Sequence, residues 1–479
     1  MKALVWGLAL TGASTVRALQ RAGHRVVVAD DTVDDERRAS ADALGVDLVE
    51  RPAPEELDAL VAGFDLLSPS PGVPETHAAI AAALAAGVTV WSELELAYRW
   101  ELERPGGPRP MLAITGTDGK TTTTEMATAM LRAAGLRAEP LGNTDTPLVE
   151  ASVGGPHADL DVLVVECTSF RLRWTESFRA DAAVWLNLAP DHLNWHASMA
   201  SYEAAKARIF ELQSTDDTAI GFVDDPVVMR HLDAAPGRRC TFGLDRADYR
   251  AEAGALVGPD GPIASIGDMR RSLPHDITNA LAASALVLET RLAATAAIES
   301  SLGSFVAAPH RLELVGERDG VRWYNDSKAT TPHAASAAVR AFESLVLIAG
   351  GSRKGVDLAP MATGAERVRA VVAIGDAAPD VRAAFAGRAD VVDANSMAEA
   401  VRIAGDLATS GDAVVLSPGC ASFDWYGGYP ERGDDFRRLV RARLDTSTSE
   451  QPSTRSLTGP DPDPDADRNA VGVDERWQA

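Results

Sequence analysis

Residues 111–115 form a short apolar run, and the next six are Gly116, Thr117, Asp118, Gly119, Lys120 and Thr121. A helix-like stretch follows to residue 134 and is closed by Gly135. Strand, glycine loop and helix in that order form a phosphate loop. The glycines let backbone N–H groups turn toward an anion, and the helix N-terminus adds partial positive charge. Lys120 then suits β/γ-phosphates and the Thr121 hydroxyl suits Mg²⁺. The loop is shorter than the common form, because Ile114 stands five residues before Gly119. The competing reading is a plain glycine turn before a helix.

The surroundings repeat the strand–helix alternation three times. Residues 4–6, 26–29, 66–67 and 88–90 read as strands among Ala-rich helices. A breaker cluster at 104–110 then intervenes, with Pro105, Gly106, Gly107, Pro108 and Pro110. Around the phosphate loop, 162–166, 183–188 and 220–223 read as strands and 277–291 as a helix. Beyond a second break near 303–309, strands are expected at 321–324, 345–349, 371–374 and 414–416. This alternation predicts an α/β chain of three domains with parallel sheets. The expected divisions are 1–105, 106–303 and 304–444. The tail 445–479, polar, acidic and rich in proline, reads as disordered.

Composition excludes several classes. The net charge of −23 argues against a general nucleic-acid binder, which needs a basic face. The three cysteines, Cys167, Cys240 and Cys420, form no CxxC pair, so neither a disulfide framework nor a structural zinc site is expected. A reducing cytoplasm is the simplest compartment. No run of about 18 apolar residues exists to span a membrane. The apolar start, residues 3–10, flows into a helix-like stretch and a second strand, which suits a folded unit better than a cleaved signal.

Other chemistry-bearing residues cluster after strands, where parallel sheets bind ligands. Gly7 and Gly12 flank a turn resembling a dinucleotide fingerprint, but Ala9 replaces its middle glycine. A ligand-free βα turn is an equally good account. Asp30 and Asp31 end the second strand and could accept hydrogen bonds from a ribose or base. Glu166 ends an apolar strand, where a carboxylate can hold Mg²⁺. His192 on spacing alone reads as a satisfied loop residue, and Lys206 as a solvated side chain. Arg311 and Lys328 suit phosphate or carboxylate. The loops 350–355 and 417–423 follow strands as well.

Taken together these motifs resemble the ATP-dependent muramyl ligases of cell-wall precursor synthesis, and most closely their D-glutamate-adding branch. The resemblance covers residues 1 to about 444. It rests on the phosphate loop, Tyr202-Glu-Ala-Ala-Lys206, Pro309-His-Arg311, Asp326-Ser-Lys-Ala-Thr330 and residues 417–423, with 7–12 and Ser70-Pro-Gly72 for the branch. Folylpolyglutamate synthetase shares the phosphate loop, but residues 1–100 argue against a pterin acceptor. A non-catalytic nucleotide module and an NAD-dependent oxidoreductase are the other rivals.

The resemblance implies a Rossmann-like first domain, a central ATPase domain and a Rossmann-like third domain. The implied reaction joins D-glutamate to UDP-N-acetylmuramoyl-L-alanine through an acyl phosphate, releasing ADP and phosphate. Lys120, His192 and Lys206 are the implied catalytic residues. ATP is implied at Gly116, Thr117, Asp118, Gly119, Lys120, Thr121, Thr122, Asn279, Arg311 and Asp326. Leu10, Thr11, Asp30, Ser70, Pro71, Gly72 and Asn143 are implied for the UDP-sugar substrate. Thr330, Lys328, Lys354, Ser422, Phe423 and Tyr429 are implied around glutamate. Two Mg²⁺ ions are implied, on Thr121 and Glu166 and on His192 with a carbamylated Lys206. The implied enzyme is a cytoplasmic monomer acting on small molecules, without nucleic acid. Four positions depart from the family pattern: Asp118 and Asp276 replace Asn, Arg171 replaces Gln, and Asp145 replaces Gly.

Overall fold

The computed structural model describes residues 1–306, 308–353 and 357–446. The chain builds three α/β domains, each around a largely parallel sheet. In the first, β1 (Lys2–Trp6), β2 (Arg25–Asp30), β3 (Asp47–Glu50), β4 (Leu66–Pro69) and β5 (Thr89–Val90) lie in the order β3-β2-β1-β4-β5, all parallel. The strand order reverses between β1 and β4. The loops after these two strands, residues 7–10 and 70–72, therefore share the crevice where such sheets bind ligands.

The central sheet contains β6 (Met111–Thr115), β7 (Ala138–Gly142), β8 (Val162–Glu166), β9 (Ala182–Trp185), β10 (Thr218–Phe222) and β11 (Arg238–Phe242). Their order is β11-β10-β9-β6-β8-β7 and every pair is parallel. The phosphate loop leaves β6 between the ends of β8 and β9. Residues 111–114 are all buried, because helices cover both faces of the sheet. Met126, Met130 and Leu131 of the helix Lys120–Ala133 pack on Leu112, Ile114 and Val164, together with the helix Pro274–Glu289. An unexpected antiparallel sheet, β12 (Arg250–Glu252), β13 (Ala255–Gly258) and β14 (Gly261–Ser265), flanks this domain.

The opposite face of the central sheet shares one apolar core with the first domain. Val16, Leu19 and Leu94 pack in the same cluster as Ala113, Leu163 and Val165. Burial of so many side chains, each worth about 1.5–3 kcal/mol, fastens these two domains together.

The third sheet holds β15 (Glu313–Arg318), β16 (Val321–Asn325), β17 (Leu345–Gly350), β18 (Val368–Ile374), β19 (Asp390–Ala394) and β20 (Ala413–Leu416). The order is β15-β16-β20-β17-β18-β19, with only β15 antiparallel. The closing helix Tyr429–Thr446 runs two residues past the expected end of the third domain. The rest of the tail, 447–479, lies outside the described residues. Among the described residues no helix is long and apolar enough to cross a membrane.

Candidate active site

The phosphate loop is held open by its neighbours rather than by its own bonds alone. Gly119 caps the helix Lys120–Ala133 with φ +83°, a left-handed geometry that favours glycine. A Cβ there would stand 2.6 Å from Asn279 Oδ1, so the residue is also fixed by a close approach. Asn187, just past β9, accepts at Oδ1 from the amides of Thr117 and Asp118, both at 2.9 Å. Sequence reading missed Asn187 as a site residue. The signal was a polar side chain following a strand that turns out to pair with β6.

Two lysines from distant parts of the chain meet here. Lys120 Nζ donates to the carbonyls of Gly116 and Thr117 at 2.8 and 2.7 Å. Lys206 Nζ, from the helix Met199–Glu211, donates to the same Gly116 carbonyl at 2.7 Å. Lys206 is 1% exposed, so the solvated side chain read from its spacing is corrected: it is buried. Burial, and then the Lys120 charge, hold its ammonium well below the usual lysine range. Tyr202, one turn earlier, places its hydroxyl 3.1 Å from Thr117 Oγ1. Thr122 is buried behind the loop.

His192 adopts φ +55°, a conformation that costs about 1–3 kcal/mol in a non-glycine residue. Its Nε2 lies 3.2 Å from Asp191 Oδ2, and its ring sits edge-on to Phe170. Burial pushes its pKa down.

Glu166 ends β8 in register with Ile114 of β6. Its Oε1 accepts from Asn143 Nδ2 at 2.8 Å, whereas its buried Oε2 has no hydrogen-bond partner among the described residues. A buried carboxylate oxygen left unpaired is costly, and a hard cation is the partner that chemistry supplies. Among the described residues no three His, Cys, Asp or Glu side chains cluster to hold a metal. Glu166 Oε2 is the buried side-chain oxygen left open to a cation on this loop's β8 side.

In the first domain, the glycine-rich turn keeps only two of its three glycines, and the structure gives the reason. Gly7 has φ +91°, and a Cβ at Gly12 would lie 1.9 Å from the Gly7 carbonyl. Ala9 has φ −85°, which any residue adopts. Leu10 is exposed at the start of the helix Leu10–Arg21, and the Thr11 hydroxyl accepts from Arg171 at 3.2 Å. The Asp30 carboxylate accepts from Leu8 N at 2.7 Å, Thr32 N at 2.8 Å and Arg37 Nε at 3.2 Å. Ser70 Oγ donates to the Gly7 carbonyl at 2.6 Å, and the Pro71 carbonyl accepts from Trp195 of the central domain at 2.8 Å. Gly72 completes this loop, where a Cβ would meet open space.

The third domain reaches the phosphate loop through Arg311, whose Nη2 donates to Thr121 Oγ1 at 2.9 Å. Its Nε is buried without a partner among the described residues. The flanking residues His310 and Leu312 have φ +65° and +45°. Arg271 clamps this turn: Nη1 donates to the Arg311 and Leu312 carbonyls, both at 2.6 Å. Asp276 holds the same guanidinium through both carboxylate oxygens, at 2.7 and 2.6 Å. The negative charge of Asp276 is thus matched by a cation.

Asp326 accepts from Ser417 Oγ at 2.7 Å and Leu312 N at 3.2 Å, and burial raises its pKa to about 7. Lys328 Nζ lies 5.5 Å from the Tyr429 ring centre, and the Thr330 amide donates to the Lys328 carbonyl at 2.9 Å. Ser422 is buried, while Phe423 is 72% exposed. Lys354 lies outside the described residues.

Comparison with known proteins matches this architecture domain by domain. Residues 1–92 match the Mur ligase MurD-like N-terminal domain, 114–287 the Mur ligase middle domain, and 310–420 the Mur ligase glutamate ligase domain. The UDP-N-acetylmuramoylalanine–D-glutamate ligase of Frankia casuarinae is 43% identical, covering 92% of this chain and 94% of its own. That of Myxococcus xanthus is 40% identical, covering 92% and 98%. The MurF ligase of Thermotoga maritima, solved with ADP, shares the fold at a TM-score of 0.57 and 14% identity, covering 92% and 98%. The UDP-N-acetylmuramate-alanine ligase MurC of the same organism gives 0.54 at 18% identity, covering 93% and 100%. Three matched domains in order, and relatives alike along nearly their whole length, place this chain in the Mur ligase family.

Proposed function

We propose that this chain is the ATP-dependent ligase that joins D-glutamate to UDP-N-acetylmuramoyl-L-alanine, releasing ADP and phosphate, in cytoplasmic peptidoglycan precursor synthesis. The observation that carries this reading is the meeting of Lys120 and Lys206 at one phosphate-loop carbonyl, in a chain so similar to ligases of that name.

The alanyl carboxylate of the UDP-sugar attacks the γ-phosphorus of ATP, and the bond from that phosphorus to the β–γ bridging oxygen breaks. ADP leaves and an acyl phosphate remains. The amine of D-glutamate then attacks the acyl carbon, the C–O bond to phosphate breaks, and the amine gives up a proton. Lys120 and Arg311 balance charge on the transferred phosphoryl group. Thr117, Asp118 and Gly119 supply backbone around the phosphates, and Asn279 and Asp326 serve adenine and ribose. Leu10, Thr11, Asp30, Ser70, Pro71 and Gly72 serve the UDP end, and Asn143 and His192 the sugar and its alanyl group. Lys328, Thr330, Lys354, Ser422, Phe423 and Tyr429 serve the incoming glutamate.

Glu166 and Thr121 are the residues to hold one Mg²⁺, and His192 with carbamylated Lys206 a second. Bound Mg²⁺ draws charge from phosphate oxygens. Carbamylation requires a neutral amine, and burial favours that form of Lys206. The proton lost as its nitrogen bonds CO₂ goes to solvent, leaving an anionic oxygen donor. With divisions near 105 and 303, the first domain serves the UDP end, the central domain most of the nucleotide, and the third domain the amino acid, with Asn143, His192, Arg311 and Asp326 reaching across. One chain supplies every group named, so a monomer suffices.

Phosphate release is the test, with UDP-N-acetylmuramoyl-L-alanine, ATP and a panel of D- and L-amino acids. Release is expected with D-glutamate; no release with it would overturn the assignment.

A further inference from the structure

We propose that Arg171 is a positioning residue for the Glu166 carboxylate, acting through the Asn143 side-chain amide. The proposal rests on the ligase reading for its purpose and on the following geometry for its mechanism.

Arg171 lies on the short helix Ser169–Leu172, five residues past Glu166, and its side chain is 3% exposed. A guanidinium donates hydrogen bonds and accepts none. Here Nε donates to Glu93 Oε1 at 2.8 Å, Nη1 to Asn143 Oδ1 at 2.8 Å, and Nη2 to Thr11 Oγ1 at 3.2 Å. Asn143 must therefore offer its carbonyl oxygen to Arg171. That choice turns its Nδ2 toward Glu166 Oε1. The Asn143 backbone amide also donates to the Glu166 carbonyl at 3.0 Å.

The outcome is a carboxylate with one oxygen committed and the other, Oε2, buried and unpaired. A glutamine at 171 would end in both a donor and an acceptor, so it could face Asn143 in either orientation. Arginine removes that choice. Glu93 fixes the guanidinium in turn, and its own Oε2 accepts from Val149 N at 3.2 Å. A first-domain carboxylate thus sets which oxygen the central domain presents to a cation, along Glu93, Arg171, Asn143 and Glu166.

The test titrates Mn²⁺ into the full-length protein saturated with ADP and reads bound Mn²⁺ by EPR, against ADP alone. Arg171→Met is expected to weaken Mn²⁺ binding about 10- to 100-fold, the usual effect of losing a residue that orients a metal ligand. Asn143→Leu is expected to match it, and the double variant to lose no more than either. Arg171→Gln is expected to recover part of the loss. Because Arg171→Met strands Glu93, the paired Glu93→Met/Arg171→Met variant removes both buried charges together, with the same expected loss. Mn²⁺ affinity within twofold of wild type in a folded Arg171→Met or paired variant would overturn the proposal, as would additive losses or an Arg171→Gln no better than Arg171→Met. Wild-type turnover with D-glutamate separately tests the ligase reading, so the two can fail independently.

Discussion

Lys120 and Lys206, 86 positions apart, share the carbonyl oxygen of Gly116, at 2.8 and 2.7 Å. Burial and the neighbouring Lys120 charge together disfavour the protonated form of Lys206. On the proposed reading, a phosphate chain and a Lys206 carbamate would complete the site at this point.

Replacing Lys120 with Ala should cut ADP formation by at least about a hundredfold, the scale for losing one charge-stabilising donor. The helix Lys120–Ala133 should survive, since alanine is a good helix former. Coupled ADP detection checks the first point and circular dichroism the second; near-normal turnover would remove Lys120 from the phosphate loop's chemistry.

Lys206→Ala should lose activity by about tenfold or more, and acetate or formate should restore part of it by supplying the missing oxygen ligand. Protein equilibrated with ¹³C-bicarbonate should show a carbamate carbon resonance that is absent from Lys206→Ala. A fully active Lys206→Ala enzyme would rule out the carbamate.

Arg271 joins the nucleotide-side helix to the turn that presents Arg311. Arg271→Met leaves Asp276 buried without its cation, and should cost about 2 kcal/mol of stability, below the fully buried case because Arg271 is partly exposed. It should also raise the KM for ATP. Urea unfolding and initial rates over a range of ATP check both; an unchanged KM would show that the clamp does not set Arg311.

His196 ties the first two domains together, with Nε2 2.9 Å from Ser169 Oγ and Nδ1 3.4 Å from Glu75. Burial lowers its pKa to about 4, from 6.5. Between those values the unfolded chain binds a proton that the folded chain refuses, so stability should fall as pH drops from about 6.5 to 4. His196→Gln should be less stable at pH 7, through lost ring packing, but should show a shallower loss over that window. Thermal melts across pH measure the slope; an identical slope in the variant would clear His196.

The local features were legible in the sequence. The phosphate loop, its strand Met111–Thr115 and the helix after it follow from neighbouring residues, because glycine torsions, β-branched runs and helix starts act over a few positions. Apolar central strands such as Val162–Glu166 and Leu345–Gly350 announced themselves by continuous hydrophobicity. The edge strands Asp47–Glu50 and Asp390–Ala394 did not: they are polar and partly exposed, and only pairing with a neighbour makes them strands. The expected strand to residue 188 stops at Trp185, and Asn187 past its end holds the phosphate loop.

What the sequence by itself determined was three α/β units, a phosphate loop and a set of charged residues after strands. Tertiary structure alone decided that Lys206 is buried, that Arg171 meets Glu93 and that Asp276 meets Arg271. Those pairings close gaps of between 5 and 90 residues, and a side chain's burial and charge partner belong to the packed neighbourhood. Short-range sterics fix the elements; desolvation and charge pairing are settled only when the sheets come together.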